Sequence, residues 1–196
     1  NLLRQHTEGL ICLSACLSGD LPKLLLQGRT EDAKKYALEM QALFGKGNYF
    51  VEIMDHGLPE ERMVLPRLKA LARETGIPLV ATNDCHYLYR EDAAAQEVLM
   101  CIQTGKTLQD ETRMRMETEE LYVKSEAEML SLFADCPQAV HQAGEIAARC
   151  QVTFEFGKLH LPRFPIETGE TALEMLTRLK SDRSHVVLWA KELSRF

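Results

Sequence analysis

Ile77-Pro-Leu-Val-Ala-Thr-Asn-Asp-Cys-His-Tyr87 joins a short apolar run to a cluster of chemistry-bearing side chains. Pro78–Ala81 is too short for a buried helix and reads as a buried strand, set off by Gly76. Upstream, Pro59–Thr75 carries Met63, Leu65, Leu68, Leu71 and Ala72 at helical spacing, and Pro66 is expected to kink that helix. Tyr49–Ile53 reads as a strand. Before it, Thr30 is expected to cap a helix that has Glu31 and Asp32 in its first turn and an apolar stripe from Ala33 to Phe44. Gly9–Ser14 is a further strand, and Pro22–Gln27 a short helix stopped by Gly28. Downstream, Glu91–Cys101 is helical. Strand and helix therefore alternate with short connections, which predicts an α/β fold with parallel strands, in a doubly wound sheet or a barrel.

After Gly105 the pattern changes. Lys106–Glu117 is polar and reads as a loop, and Leu121–Val123 as a short strand. Ser125-x-x-Glu128 is a capping box ahead of Met129, Leu130, Leu132 and Phe133. Pro137 opens a helix through Cys150, and Val152–Phe156 reads as another strand. Pro162, Pro165 and Gly169 mark a boundary segment.

The 196 residues are 45% hydrophobic and 27% charged, enough for one domain or slightly more. A net charge of −6 gives no overall pull towards nucleic acid, though it does not exclude a local basic groove. No apolar run approaches the ~20 residues that span a bilayer, and Asn1–His6 lacks the layout of a signal peptide. The six cysteines form no CxxC pair, which excludes a zinc ribbon and suits reduced thiols.

Ligands and catalytic groups gather at the carboxyl ends of parallel strands. Asp84 and His86 follow the strand Pro78–Ala81 and, two apart in an extended segment, would point the same way. A carboxylate beside an imidazole suits a metal site; alternatively, Asp84 caps a turn and His86 packs against it. Cys16, in the small-residue loop after Gly9–Ser14, has an equivalent position and would add a thiolate ligand, or else is an inert small residue. Cys85 alternates away and reads as core. Asp55-His56-Gly57 follows the second strand and reads as a turn rather than an acid–base pair. Glu52 lies on that strand, where it would point into a site or pair with a base. Gln103–Thr107 resembles a phosphate loop but has Met100 where glycine is needed and a helix before it, so an ATP site is rejected. Lys106, Arg113 and Arg115 form a basic cluster suited to a phosphate backbone, or a solvated loop interleaved with Asp110, Glu111 and Glu117.

Longer strings carry a family resemblance. Gly9–Gly19, Ile77–Tyr87, Val98–Leu108, Leu121–Met129 and Phe156–Pro165 resemble, in order, the alpha subunits of bacterial DNA polymerase III, from about Gly9 to Leu179. The resemblance implies a PHP domain, a distorted (βα) barrel at the amino end of a replicative polymerase. In its active forms that domain binds a cluster of divalent metal ions, and three ligand positions match here: Cys16, Asp84 and His86. Some relatives use the site for 3′–5′ exonuclease proofreading; in others the ligands are lost and the domain is a scaffold.

The implied cofactors are zinc, manganese or magnesium in the PHP site and magnesium for the parent polymerase. The implied partners are DNA, deoxynucleoside triphosphates and replisome subunits, in the cytoplasm and with no membrane. The family's His-x-His ligands belong upstream of Asn1 and its catalytic aspartates beyond Phe196, so the fragment alone is expected to be inactive. The expected layout is a partial PHP barrel over 1–156, a linker and the start of the palm over 157–180, and a divergent tail over 181–196. Cys16, Asp84 and His86 are expected to converge from neighbouring strands. Leu10, Leu13, Val51 and Val80 are expected to face the interior.

Overall fold

The computed structural model describes residues 2–159 and 169–181. Its centre is a parallel sheet of three strands in the order β1 (Cys12–Leu13), β2 (Tyr49–Ile53), β3 (Leu79–Ala81). Cys12 pairs with Tyr49, and Val51 with Leu79. Every residue of β2 is buried, as expected for a central parallel strand covered on both faces. Pro78 lacks an N–H, so the third strand starts one residue later than read, but its carbonyl still accepts from the Val51 N–H at 3.0 Å.

The first strand is much shorter than Gly9–Ser14. Leu10 closes a turn onto the Thr7 carbonyl and is 44% exposed, so it does not belong to the interior, whereas Val51 and Val80 do. Beyond Leu13 the chain leaves the ladder because Ala15 adopts a φ of 67°.

Three helices complete the crossovers: α1 (Asp20–Leu26), α2 (Thr30–Phe44) and α3 (Pro59–Thr75). They pack on one another, and α2 and α3 pack on β2, around Leu21, Leu25, Ala37, Val64, Leu68 and Leu71. Thr30 does not cap α2; it is the first helical residue, and Arg29 precedes it, its guanidinium on Asp32 at 2.7 Å. The helix α3 runs on through Pro66 to Gly76, which takes the left-handed conformation (φ 68°) that ends it.

After β3 come a short 3-10 turn (Arg90–Asp92), α4 (Ala93–Thr104), α5 (Glu126–Leu132) and α6 (Pro137–Arg149). The capping box forms as read: Glu128 N–H donates to Ser125 Oγ, and Ser125 N–H to Glu128 Oε2 at 2.7 Å. The helix α6 lies against β3. Leu121–Val123 is no strand of the sheet; a single parallel bridge joins Tyr87 to Tyr122. Val152–Phe156 forms no strand either, and its apolar side chains are exposed.

The chain divides into two units, Asn1–Gln151 and Val152–Phe196. The second contains α7 (Ala172–Ser181), whose start is capped by Thr171 and Glu174. Most of the boundary segment and the tail after Ser181 lie outside the described residues. Among the described residues no helix is long and apolar enough to cross a membrane.

Candidate metal centre

The carboxyl ends of the strands deliver three loops to one edge of the sheet: Ser14–Cys16, Met54–Gly57 and Thr82–His86. In the third, Asp84 Oδ1 and His86 Nε2 stand 3.6 Å apart, both side chains partly open to solvent. Two ligands bound to one tetrahedral ion at ~2.0–2.2 Å are separated by roughly 3.3–3.6 Å, so this pair fits the edge of such a site. The side chains meet for a different reason from the one read in the sequence. The segment is not extended: Asp84 has a φ of 39°, a left-handed kink that folds the loop back. The kink also overturns the reading of Cys85 as core. That side chain is exposed, its thiol on the Tyr122 carbonyl at 3.5 Å.

Cys16 is half-buried and borders a cavity of about 20 Å³ shared with Glu52, Met54 and Glu61. Its loop follows β1, and β2 lies between β1 and β3. The strands bearing Cys16 and the Asp84–His86 pair are thus not neighbours but two spacings apart, roughly 9–10 Å. Among the described residues no three His, Cys, Asp or Glu side chains are grouped closely enough to hold an ion.

Between these loops lie two buried polar residues, Glu52 on the second strand and His56 in the loop that follows it. Glu52 is 7% exposed in an otherwise apolar strand. Its Oε2 accepts from the Ala15 N–H at 2.8 Å and its Oε1 from the Thr82 hydroxyl at 2.6 Å, while its own N–H donates to Ser14 Oγ at 2.8 Å. A lone carboxylate in a buried strand was the sequence signal for this link.

His56 is also buried. Its Nδ1 meets Glu61 Oε1 at 2.6 Å and its Nε2 the Asn83 carbonyl at 3.0 Å. Carboxylate and carbonyl oxygens accept, so an acceptor faces each ring nitrogen, an arrangement that favours the imidazolium form. Burial pulls its pKa down, but the hydrogen bonds to Glu61 and Asn83 and the Glu61 charge outweigh this and hold it above the ordinary value. Burial likewise pushes Glu61 up, and the His56 ring and backbone donors bring it below its ordinary value. Asp55 Oδ1 accepts from the Gly57 N–H at 3.0 Å, so Asp55-His56-Gly57 is a turn as read, with His56 a structural cation. Asn83 is clamped further: its amide donates to the carbonyls of Glu120 and Tyr122, and Lys124 Nζ donates to its Oδ1 at 3.2 Å.

The basic cluster is not uniform. Arg113 is largely buried and occupied, with Nε and Nη2 on Glu97 Oε1 at 3.0 and 2.8 Å, which removes it from phosphate contact in this conformation. Lys106 and Arg115 are exposed. Gly105 ends α4 with a φ of 65°.

A family profile described as "PHP domain" matches residues 1–56, a stretch that includes Cys16 and ends before Asp84. The chain is 52% identical over 151 residues to the DNA polymerase III subunit alpha of Treponema pallidum, covering 77% of this chain and 13% of the relative. Identity to the subunit of the same name is 43% in Borreliella burgdorferi, over 84% of this chain, and 40% in Thermus aquaticus, over 91%. In both cases the match covers 15% of the relative, so the chain spans about one-seventh of the proteins it resembles. Similarity of this extent, over a parallel α/β fold with a PHP match at its start, places the chain in the DNA polymerase III alpha-subunit family.

Proposed function

We propose that this chain forms part of a replicative DNA-directed DNA polymerase, and that Cys16, Asp84 and His86 are ligands to divalent metal ions in its PHP portion. The observation that carries the metal reading is the Asp84–His86 pair, 3.6 Å apart at the carboxyl end of β3. Residues 1–156 then belong to the PHP domain, 157–180 to the linker and palm start, and 181–196 to a divergent tail. The substrates are DNA and deoxynucleoside triphosphates, the partners other replisome subunits, and the setting the cytoplasm. Lys106 and Arg115 are the open members of the basic cluster for backbone phosphates; Arg113 would first have to release Glu97.

Zinc, manganese or magnesium held there would activate a water for phosphodiester cleavage, the chemistry of 3′-end proofreading. Of the chain's own residues, Asp84 and His86 would hold an ion together, the carboxylate offsetting its charge and the imidazole binding through a neutral ring nitrogen, and Cys16 would bind an ion of the same cluster as the thiolate. Magnesium for synthesis binds elsewhere in the parent. The test is the full-length polypeptide carrying Asp84→Asn. Metal-dependent trimming of a labelled 3′ end should be lost while primer extension persists. Undiminished trimming would overturn the ligand assignment, and a wild-type protein that neither trims nor binds metal would make this portion a scaffold.

A further inference from the structure

We infer that Glu52 is a positioning residue that holds the Cys16 loop and the Asp84–His86 loop at a fixed separation; the inference rests on the metal-site reading above. The strand order creates the need for such a link. The two loops leave β1 and β3, which share no hydrogen bonds because β2 lies between them. A residue on β2 is placed to touch both, and Glu52 does so with one carboxylate oxygen for each.

Both attachment points lie where the backbone departs from the ladder. Ala15, whose N–H is held, has a φ of 67° and immediately precedes Cys16. Thr82, whose hydroxyl is held, lies two residues before Asp84 with its φ of 39°. Such conformations persist only where surrounding bonds impose them.

Outer-shell partners of this kind typically change metal affinity by about 10–100-fold when removed. The experiment uses the full-length polypeptide with Co²⁺ as the probe, reading affinity and the cobalt–thiolate absorption that reports Cys16. Thr82→Val cuts one arm of the link and leaves Glu52 on Ala15. It should lower Co²⁺ affinity by about 10–100-fold and weaken the thiolate band. Thr82→Ser restores the hydroxyl and should restore both. Glu52→Gln keeps the shape, removes the charge and should also lower the affinity, which provides a second reading if Thr82→Val fails to fold. A thiolate band with unchanged affinity in Thr82→Val and Glu52→Gln would overturn the positioning role alone. So would Thr82→Ser behaving like Thr82→Val. A wild-type protein with no thiolate band would instead overturn the metal-site reading beneath it.

Discussion

His56 and Glu61 form a buried ion pair whose contribution to stability depends on pH in both directions. The His56 pKa is raised above its ordinary 6.5, so its contribution is complete below about 6.5 and is lost as pH rises through the folded value. The Glu61 pKa is lowered from its ordinary 4.5, so its contribution is complete above about 4.5 and is lost as pH falls through the folded value. Glu61→Gln strands the imidazolium, and breaking a buried pair from one side costs about 3–5 kcal/mol. Thermal melts across pH should show the largest gap between wild type and Glu61→Gln near pH 5–6, narrowing as pH rises above 6.5. A pH-independent gap would contradict the charge assignment. At this scale the sequence was partly legible. Alternation along an extended strand placed Asp84 beside His86 but put Cys85 in the core, because nothing in the residue types announces a positive φ at Asp84.

Pro66 shows how packing overrides local preference in an element. An internal proline costs about 3 kcal/mol through its missing N–H and its clash with the preceding turn. Yet α3 continues past it, with Val64 and Leu68 on either side buried in the core and Pro66 itself exposed. Pro66→Ala should therefore raise stability by about 2–3 kcal/mol, less the ~0.4–1 kcal/mol by which proline restricts the unfolded chain. A fall in the unfolding midpoint would mean that the ring makes contacts worth more than the lost hydrogen bond. Elements with strong local signals were read well: β2 from its apolar run, α5 from its capping box, α6 from Pro137. Cys12–Leu13 and Val152–Phe156 were misjudged because strand length depends on partners far away in sequence. The first run leaves its ladder at Ala15, and the second pairs with no strand among the described residues.

For the molecule as a whole, the alternation of strands and helices made the α/β class legible, while the separation of β1 and β3 was not, since order in a sheet is a matter of long-range pairing. Among the described residues the sheet has three strands and both outer ones are edges, a feature associated with intermolecular pairing. The helix α4 adds apolar surface, with Leu99 59% and Ile102 71% exposed. Burying one such side chain is worth about 1.5–3 kcal/mol, against roughly 5–15 kcal/mol for a whole domain. The 196-residue chain expressed alone is therefore expected to associate or remain partly molten, and a longer stretch of the parent polypeptide to behave better. A sharp, reversible, monomeric transition in sedimentation and calorimetry would contradict this.

The link through Glu52 also sets an order of events during synthesis. Ala15 precedes Glu52 by 37 residues and Thr82 follows it by 30, so the carboxylate meets its partners at different times as the chain emerges. At about 5–20 residues per second, Thr82 is made roughly 1.5–6 s after Glu52. Until Thr82 is made, Glu52 Oε1 lacks the donor it has in the folded chain. The segment that carries β3 thus brings both the third strand of the sheet and the second donor of the buried Glu52 side chain.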